Sequence, residues 1–243
     1  LETALLQVGA AAHERLEQEI EVARRIQASF IPEFPPQVAG WSLAARWSAA
    51  RQVSGDFYDF IPLPNNLWGL VIADVADKGV PAALFMAMSR TLVRAAAMSR
   101  TSPSDTLARV NDLLFNDSRS DLFVTMLYLI WDPQASSLKY ANAGHNPLLL
   151  VRYGNTRIEE LKTRGIALGI IPDIQLEEMT IEINPGDCIL AYTDGVTEAR
   201  NSFDDEWGVS RLHQALITDK NKEPTVLIDN IMHQIEKFTS GAT

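Results

Sequence analysis

Hydrophobic and polar positions follow two different periods along this chain, and the change from one to the other outlines its architecture. Residues 1 to about 30 contain no proline, and no glycine after Gly9. There Leu16, Ile20, Ala23, Ile26 or Gln27, and Phe30 fall on one face, between charged Glu14, Arg15, Glu17, Glu19, Glu21, Arg24 and Arg25. That spacing predicts one amphipathic helix, which Pro32, Pro35 and Pro36 end. Its stripe either docks on the chain's own core or pairs with a second helix as a coiled coil; fewer than four heptads fit, with an imperfect seam.

From Trp41 onward short apolar runs between turn residues predict strands over 42–48, 57–63 and 67–75, the last two joined by Pro64-Asn65-Asn66. A helix follows over 81–98, with Pro81 in its first turn. Ser102 or Ser104 caps a second helix running to about Phe115. Strand patterns resume over 123–131, 137–142, 147–152, 157–161, 177–183 and 187–193. Two helices, over 209–217 and 224–238, complete the chain. Strand blocks interrupted by helix pairs predict an α+β fold, two antiparallel sheets packed together with helices outside. The proline cluster divides residues 1–36, a linker helix, from a domain over 37–243.

Composition narrows the function. With 243 residues, 47% of them hydrophobic, the chain can bury a substantial core. A net charge of −10 argues against nucleic acid as a partner, since that role needs a basic face. Cys188 is the only cysteine, which excludes a disulfide framework and a thiolate zinc cluster. No run of about 18 apolar residues suggests a membrane span, and no signal peptide is apparent, so a cytoplasmic setting fits. The start at Leu1 suggests a segment of something longer.

The candidate chemistry lies in three aspartates, each at a turn beside a strand-like run. Asp56 sits in Ser54-Gly55-Asp56-Phe57-Tyr58-Asp59, Asp74 follows Leu70-Val71-Ile72-Ala73, and Asp194 stands between Thr193 and Gly195. One Asp-Gly at a strand end is usually a turn. Several carboxylates from distant parts of one chain can instead build a two-metal hydrolytic site. Arg51, five residues before Asp56, and Lys78-Gly79, just before a helix, either face a phosphoryl group or are solvated charges. His145, between Gly144 and Asn146-Pro147, reads as a turn-locking residue rather than a general base. Asp204-Asp205-Glu206 reads as a solvated acidic loop.

Ala50 to Asp59, Ala73 to Gly79, Asn142 to Pro147 and Tyr192 to Asn201, in that order, resemble the SpoIIE/RsbU branch of the PPM metal-dependent serine/threonine phosphatases. The resemblance runs from about residue 20 to the C-terminus and includes Ala23-Arg24-Arg25-Ile26-Gln27 through Pro32. It implies a four-layer α-β-β-α sandwich with two Mn²⁺ or Mg²⁺ ions at one edge. Asp74 would bridge them, with the Val75 carbonyl on one; Asp194 would bind the other, and Asp56 would bind directly or through water. A bridging hydroxide would attack phosphoserine or phosphothreonine, commonly on a phosphorylated STAS-domain anti-anti-sigma factor. An upstream sensor or receiver domain, and a homodimer through the N-terminal helix, complete the expectation.

Three departures from the family pattern stand out. Ser54 replaces the first glycine of Gly-Gly-Asp, a perturbation if the backbone there needs positive φ. Ala76 stands where eukaryotic relatives carry a histidine, leaving the proton donor to the leaving group unidentified. The family's closing Asp-Asp and apolar strand do not follow Phe238, which reads as a missing tail. The rival readings are a pseudophosphatase, a dimeric scaffold that binds its partner without turnover and, least favoured, a different two-metal hydrolase such as a nuclease.

Overall fold

The computed structural model describes residues 2–48, 53–99, 102–117 and 121–240, with the side chains of 2–13, Leu16 and Asp117 excepted. The chain opens with helix α1 (Glu2–Phe30) and continues through β1 (Phe57–Pro62) and β2 (Trp68–Val75). Helices α2 (Val80–Ala97) and α3 (Pro103–Asp117) come next, then β3 (Val124–Asp132), β4 (Ser137–Ala143), β5 (Leu148–Val151) and β6 (Ile158–Leu161). The remaining elements are β7 (Glu178–Glu182), β8 (Cys188–Leu190), the single turn α4 (Asp194–Thr197), α5 (Val209–Asp219) and α6 (Pro224–Ser240). One sheet has the order β1-β2-β3-β4-β7, the other β6-β5-β8, and every pairing is antiparallel.

Strand β3 shows how the layers arise. Its side chains alternate between two faces, as the period of an extended chain requires. Met126, Tyr128 and Ile130 pack with Phe85, Met86 and Val93 of α2 and Leu107, Val110 and Leu114 of α3. Leu127, Leu129 and Trp131 point the other way, into a layer with Leu148 of the second sheet and Ile183. The far side of that sheet presents Leu149 and Val151 to Trp207, which precedes α5, to Leu212 and Leu216 of α5, and to Leu227 and Ile231 of α6. Three apolar layers thus separate helices, sheet, sheet and helices. The expected α+β sandwich of two antiparallel sheets is the observed architecture.

Two expectations need correction. Residues 42–48 form no strand, although their pattern alternates. Trp41 and Leu43 pack into the layer between the sheets, and Trp41 meets Trp131 edge-on at 5.0 Å between ring centroids. The segment is apolar enough to be buried, yet no ladder partner among the described strands takes it up. Strand β8 is also shorter than expected, its ladder with β5 running only from Val151–Cys188 to Leu149–Leu190. On α1, where Ile26 or Gln27 was open, Gln27 is the buried one, at 3% exposure against 54% for Ile26.

Helix α2 is tied to β1 by a buried charge. Asp59 is fully buried and accepts from Arg94 (Nη2 to Oδ1, 2.9 Å), while Arg90 Nε lies 3.0 Å from Oδ2. Removing the carboxylate strands two cations against the core. Asp59→Ala is therefore expected to lower stability by about 2–3 kcal/mol, below the usual cost of breaking a buried pair because Arg94 can turn to water. Urea unfolding of parent and variant measures it.

Candidate metal centre

The antiparallel register brings two of the three aspartates together. Phe57 pairs with Ala73, so Asp56, just before β1, lies beside Asp74, near the end of β2. The loop before β1 fits only because residue 55 has no side chain: a Cβ there would stand 2.8 Å from the Val75 carbonyl oxygen. Ser54 Oγ accepts from the Asp56 amide (3.1 Å), and Ser54 is not among the positive-φ residues, so its replacement of glycine carries no backbone strain. Trp47 Nε1 donates to the Asp56 carbonyl at 2.9 Å.

Asp194 reaches the same edge from the second sheet. Thr193 precedes α4 and donates from Oγ1 to Asp56 Oδ2 at 3.0 Å, linking the turn to the first carboxylate. The Asp194 carbonyl is held by the Glu198 amide (2.7 Å) and the Thr197 hydroxyl (3.1 Å).

Electrostatics marks these groups as a set. Desolvation, then hydrogen bonding and repulsion from Asp56, then Asp194 and Glu198, raise the Asp74 carboxyl to about 8. Burial also raises Asp56; hydrogen bonds from Asp74 and Thr193 oppose this, and Asp194 adds to it. Among the described residues no lysine or arginine contributes to either shift. Oxygen-only, half-buried carboxylates beside a close-packed carbonyl suit a hard divalent ion. The set is a contacting pair with outlying acids: among the described residues no three His, Cys, Asp or Glu side chains close into a complete cage.

Asp56, Asp74, Val75 and Asp194 thus lie at one edge, whereas Arg51 falls outside the described residues. Lys78 is exposed in the turn after β2. The turn at His145 is locked by Asn142, which accepts from the His145 amide (2.7 Å) and donates to its carbonyl (2.9 Å).

Sequence reasoning passed over three participants. Glu198 stands four residues after Asp194, a spacing that one helical turn places on one face. Thr193 precedes Asp194 in the Tyr192 to Asn201 segment, and its hydroxyl has no signal in the sequence. Gln27 clasps Ser54 from α1, donating from Nε2 to its carbonyl (2.7 Å) and accepting its amide on Oε1 (3.0 Å). A groove of about 760 Å³ between the end of α1, β1 and α2, lined by Phe30, Trp47, Tyr58, Trp68, Arg90 and Arg94, includes none of the three aspartates.

Comparison with known proteins places this geometry. The family described as Stage II sporulation protein E (SpoIIE) matches residues 64–243. Protein IcfG of Synechocystis sp. is 31% identical over 254 residues, covering 92% of this chain and 39% of that protein. Phosphoserine phosphatase RsbU of Bacillus subtilis is 30% identical, covering 77% of this chain and 56% of its own length. The chain therefore spans roughly two-fifths to just over half of these relatives. Among solved structures, the SiaA-PP2C domain of Pseudomonas aeruginosa superposes with a TM-score of 0.80 at 18% identity, covering 95% of this chain and 93% of that one. The PP2C phosphatase domain of SpoIIE from Bacillus subtilis gives 0.66 at 21% identity, covering 78% of this chain and 55% of that one. These likenesses establish the fold.

The Asp74 shift has a consequence for stability. Between the ordinary carboxyl value of 3.8 and about 8, the folded metal-free protein holds a proton that the unfolded chain has released. Stability from this group therefore falls as pH rises through that window. Asp74→Asn removes the ionisable group, so in chelator it is expected to melt a few °C above the parent near pH 8 and close to it near pH 4. Calorimetric scans across that range check the sign.

Proposed function

The chain belongs to the SpoIIE family, and on that premise we propose that it is a metal-dependent phosphatase acting on phosphoserine or phosphothreonine of a regulatory protein. The observation that carries the reading is the crowded acidic set of Asp56, Asp74, Asp194 and Glu198, which no lysine or arginine among the described residues offsets. The printed name of RsbU, phosphoserine phosphatase, supports the same activity. Asp74 would be shared by two Mn²⁺ or Mg²⁺ ions, with the Val75 carbonyl on one, Asp194 on the other, and Asp56 bound directly or through water. Divalent ions held so close to a phosphoryl group supply an activated water and neutralise its oxygens.

The chain's own residues prepare that site. The β1–β2 register and the bare Gly55 set Asp56 against Asp74, and Thr193 orients Asp56. Arg51 and the start of α2 are the proposed holders of the phosphoryl group. Ala76 carries no ionisable group, so the leaving group's proton does not come from that position.

The substrate proposed is a phosphorylated STAS-domain protein, in the cytoplasm; among the described residues no helix is long and apolar enough to cross a membrane. Residues 1–36 are proposed as a linker from an upstream sensor or receiver domain that pairs with a second copy, and 37–243 as the catalytic domain. The Gln27 clasp on Ser54 supports such a link, because it joins α1 to the residue two before Asp56.

Asp74→Asn should reduce Mn²⁺-dependent hydrolysis of p-nitrophenyl phosphate by at least about 100-fold, since even groups that only support metal ligands are worth 10- to 100-fold. Near-parental turnover at saturating Mn²⁺ would refute the assignment. Arg51→Ala should raise KM more than it lowers kcat if it contributes uniform binding, and unchanged kinetics would return it to the solvated surface. Glu at both Leu16 and Ile20 should give a monomer of lower turnover by light scattering and assay. A dimer of parental activity would dispose of the pairing.

A further inference from the structure

We propose that the groove between the end of α1, β1 and α2 is a binding site for a small organic acid, a carboxylate carried on a flat apolar body. The inference is independent of the metal-dependent reading, since the groove includes none of the three aspartates. Its floor follows from the unequal sheets. Tyr58 and Phe60 stand opposite Ile72 and Leu70 in the β1–β2 register, so all four share the face turned toward the second sheet. That sheet has three strands against five, and the layer between them takes in Ile72 and Leu70 but not the half-buried Tyr58 and Phe60. Their rings, edge-on at 5.6 Å between centroids, are left to line the groove of about 760 Å³. Small-molecule sites commonly span about 300–1,000 Å³.

The seat for the anion is a surplus cation. Arg94 and Arg90 share the one carboxylate of Asp59. Arg94 takes it with Nε and Nη2, at 2.5 and 2.9 Å, and adds the Phe60 carbonyl at 3.2 Å. Arg90 is the unsatisfied partner. Its Nε stands 3.0 Å from Oδ2 without the geometry of a hydrogen bond, and among the described residues its other N–H groups have no acceptor. The Arg90 side chain is only 16% exposed. Burial lowers its pKa, a shift that Asp59 opposes and Arg94 reinforces. A dehydrated cation without full pairing is costly. Of the other charges lining the groove, Arg46 is paired with Asp229, and Glu33 is exposed, where water screens it. One positive charge is thus left over around Asp59, in a chain of net charge −10. It matches a monoanion such as a carboxylate, which a guanidinium binds through two parallel hydrogen bonds.

The groove offers rings and a guanidinium rather than backbone. An extended peptide adding to the sheet would need the outer edge of β1, the terminal strand. At Phe60 that edge is already used: the amide donates to Asp59 Oδ1 at 2.9 Å and the carbonyl accepts from Arg94. The recognition set is therefore that of a small acid. Its walls are also fixed before anything binds, which lowers the entropic cost of association. Tyr58 donates its hydroxyl to the Pro32 carbonyl at 2.7 Å, and the Arg90 guanidinium lies 6.0 Å from the centre of the Phe30 ring. Trp47, another lining residue, donates from Nε1 to the Asp56 carbonyl at 2.9 Å. An occupant stacked on that indole is one hydrogen bond away from the Asp56 backbone.

The test is calorimetric titration of the whole chain, in chelator, with 2-naphthoate, with the neutral 2-naphthamide and with acetate. The parent is expected to bind 2-naphthoate saturably with a Kd of about 1 mM or tighter, the efficiency usual for ligands applied to a probe of this size. The amide and acetate should each bind at least about 10-fold more weakly, one lacking the charge and the other the apolar body. Arg90→Gln should weaken the acid about 10-fold and leave the amide unchanged, a split that a merely structural loss would not produce. Phe34→Ala, at a lining residue 74% exposed, should weaken acid and amide alike. Equal binding of acid and amide by the parent, or an acid insensitive to Arg90→Gln in folded protein, would overturn the inference. No saturable binding up to about 10 mM would do the same. So would a preference for the capped peptide Glu-Phe-Glu over the acid, which would give the groove to a segment of a partner protein. If Arg90→Gln fails to fold, the acid-to-amide ratio of the parent and the loss in Phe34→Ala decide. Each of these outcomes is read without metal and leaves the phosphatase reading as it stands.

Discussion

Asp56 and Asp74 meet in a partly dehydrated edge where, without a cation, one of them must keep its proton, and the rest of the structure is organised around forcing that meeting. Like charges in contact separate unless the surrounding framework is stiffer than their repulsion. The stiffness comes from three apolar layers, and β3 contributes to two of them with alternate residues. Because β1 and β2 are locked in register from Phe57–Ala73 to Pro62–Trp68, Asp56 has nowhere to retreat along the strand. In the proposed metal site a hard cation would relieve that repulsion and turn a destabilising contact into a stabilising one.

The same logic explains the supporting polar groups. Asp59 follows Asp56 by three residues on β1 but faces α2, where two arginines satisfy it. One short motif therefore carries two carboxylates with opposite fates, one paired and one left for a ligand. Pairing Asp59 anchors the helix that begins just after the Asp74 turn, at Val80. Both ends of that turn are thus fixed before any ligand arrives, the condition for a preorganised site.

Much of this was legible in the sequence. Short apolar runs bounded by turn residues located the eight strands seen among the described residues, whether alternating as in β2 or apolar throughout as in β5. The three aspartates stood out because carboxylates at the ends of apolar runs are costly unless something binds them. What was not legible was convergence. Nothing in the spacing of Thr125 and His145 places one against the other, since register and sheet crossing are tertiary facts. Residues 42–48 misled because alternation reports burial on one face, and a ladder partner is a separate requirement. Gln27 looked interchangeable with Ile26 on a helical wheel; only the two backbone groups of Ser54 explain why the polar residue is the buried one.

That exchange bears on how α1 relates to the site. A buried glutamine bonded to both backbone groups of one residue is satisfied in a single placement, and each bond left unmade would cost roughly 1–3 kcal/mol. The α1 helix is therefore held in register with Ser54 more tightly than an apolar contact would hold it, because apolar surfaces slide at little cost. Ser54 in turn caps the Asp56 amide, so the position of α1 and that of the first carboxylate are parts of one equilibrium. Were the proposed metal site to shift Asp56 on filling, linkage would require the clasp to feel that shift, and the clasp to change ion affinity by the same factor. Such coupling would need no contact between the helix and an ion, because Gln27 holds both backbone groups of Ser54 and Ser54 holds the Asp56 amide.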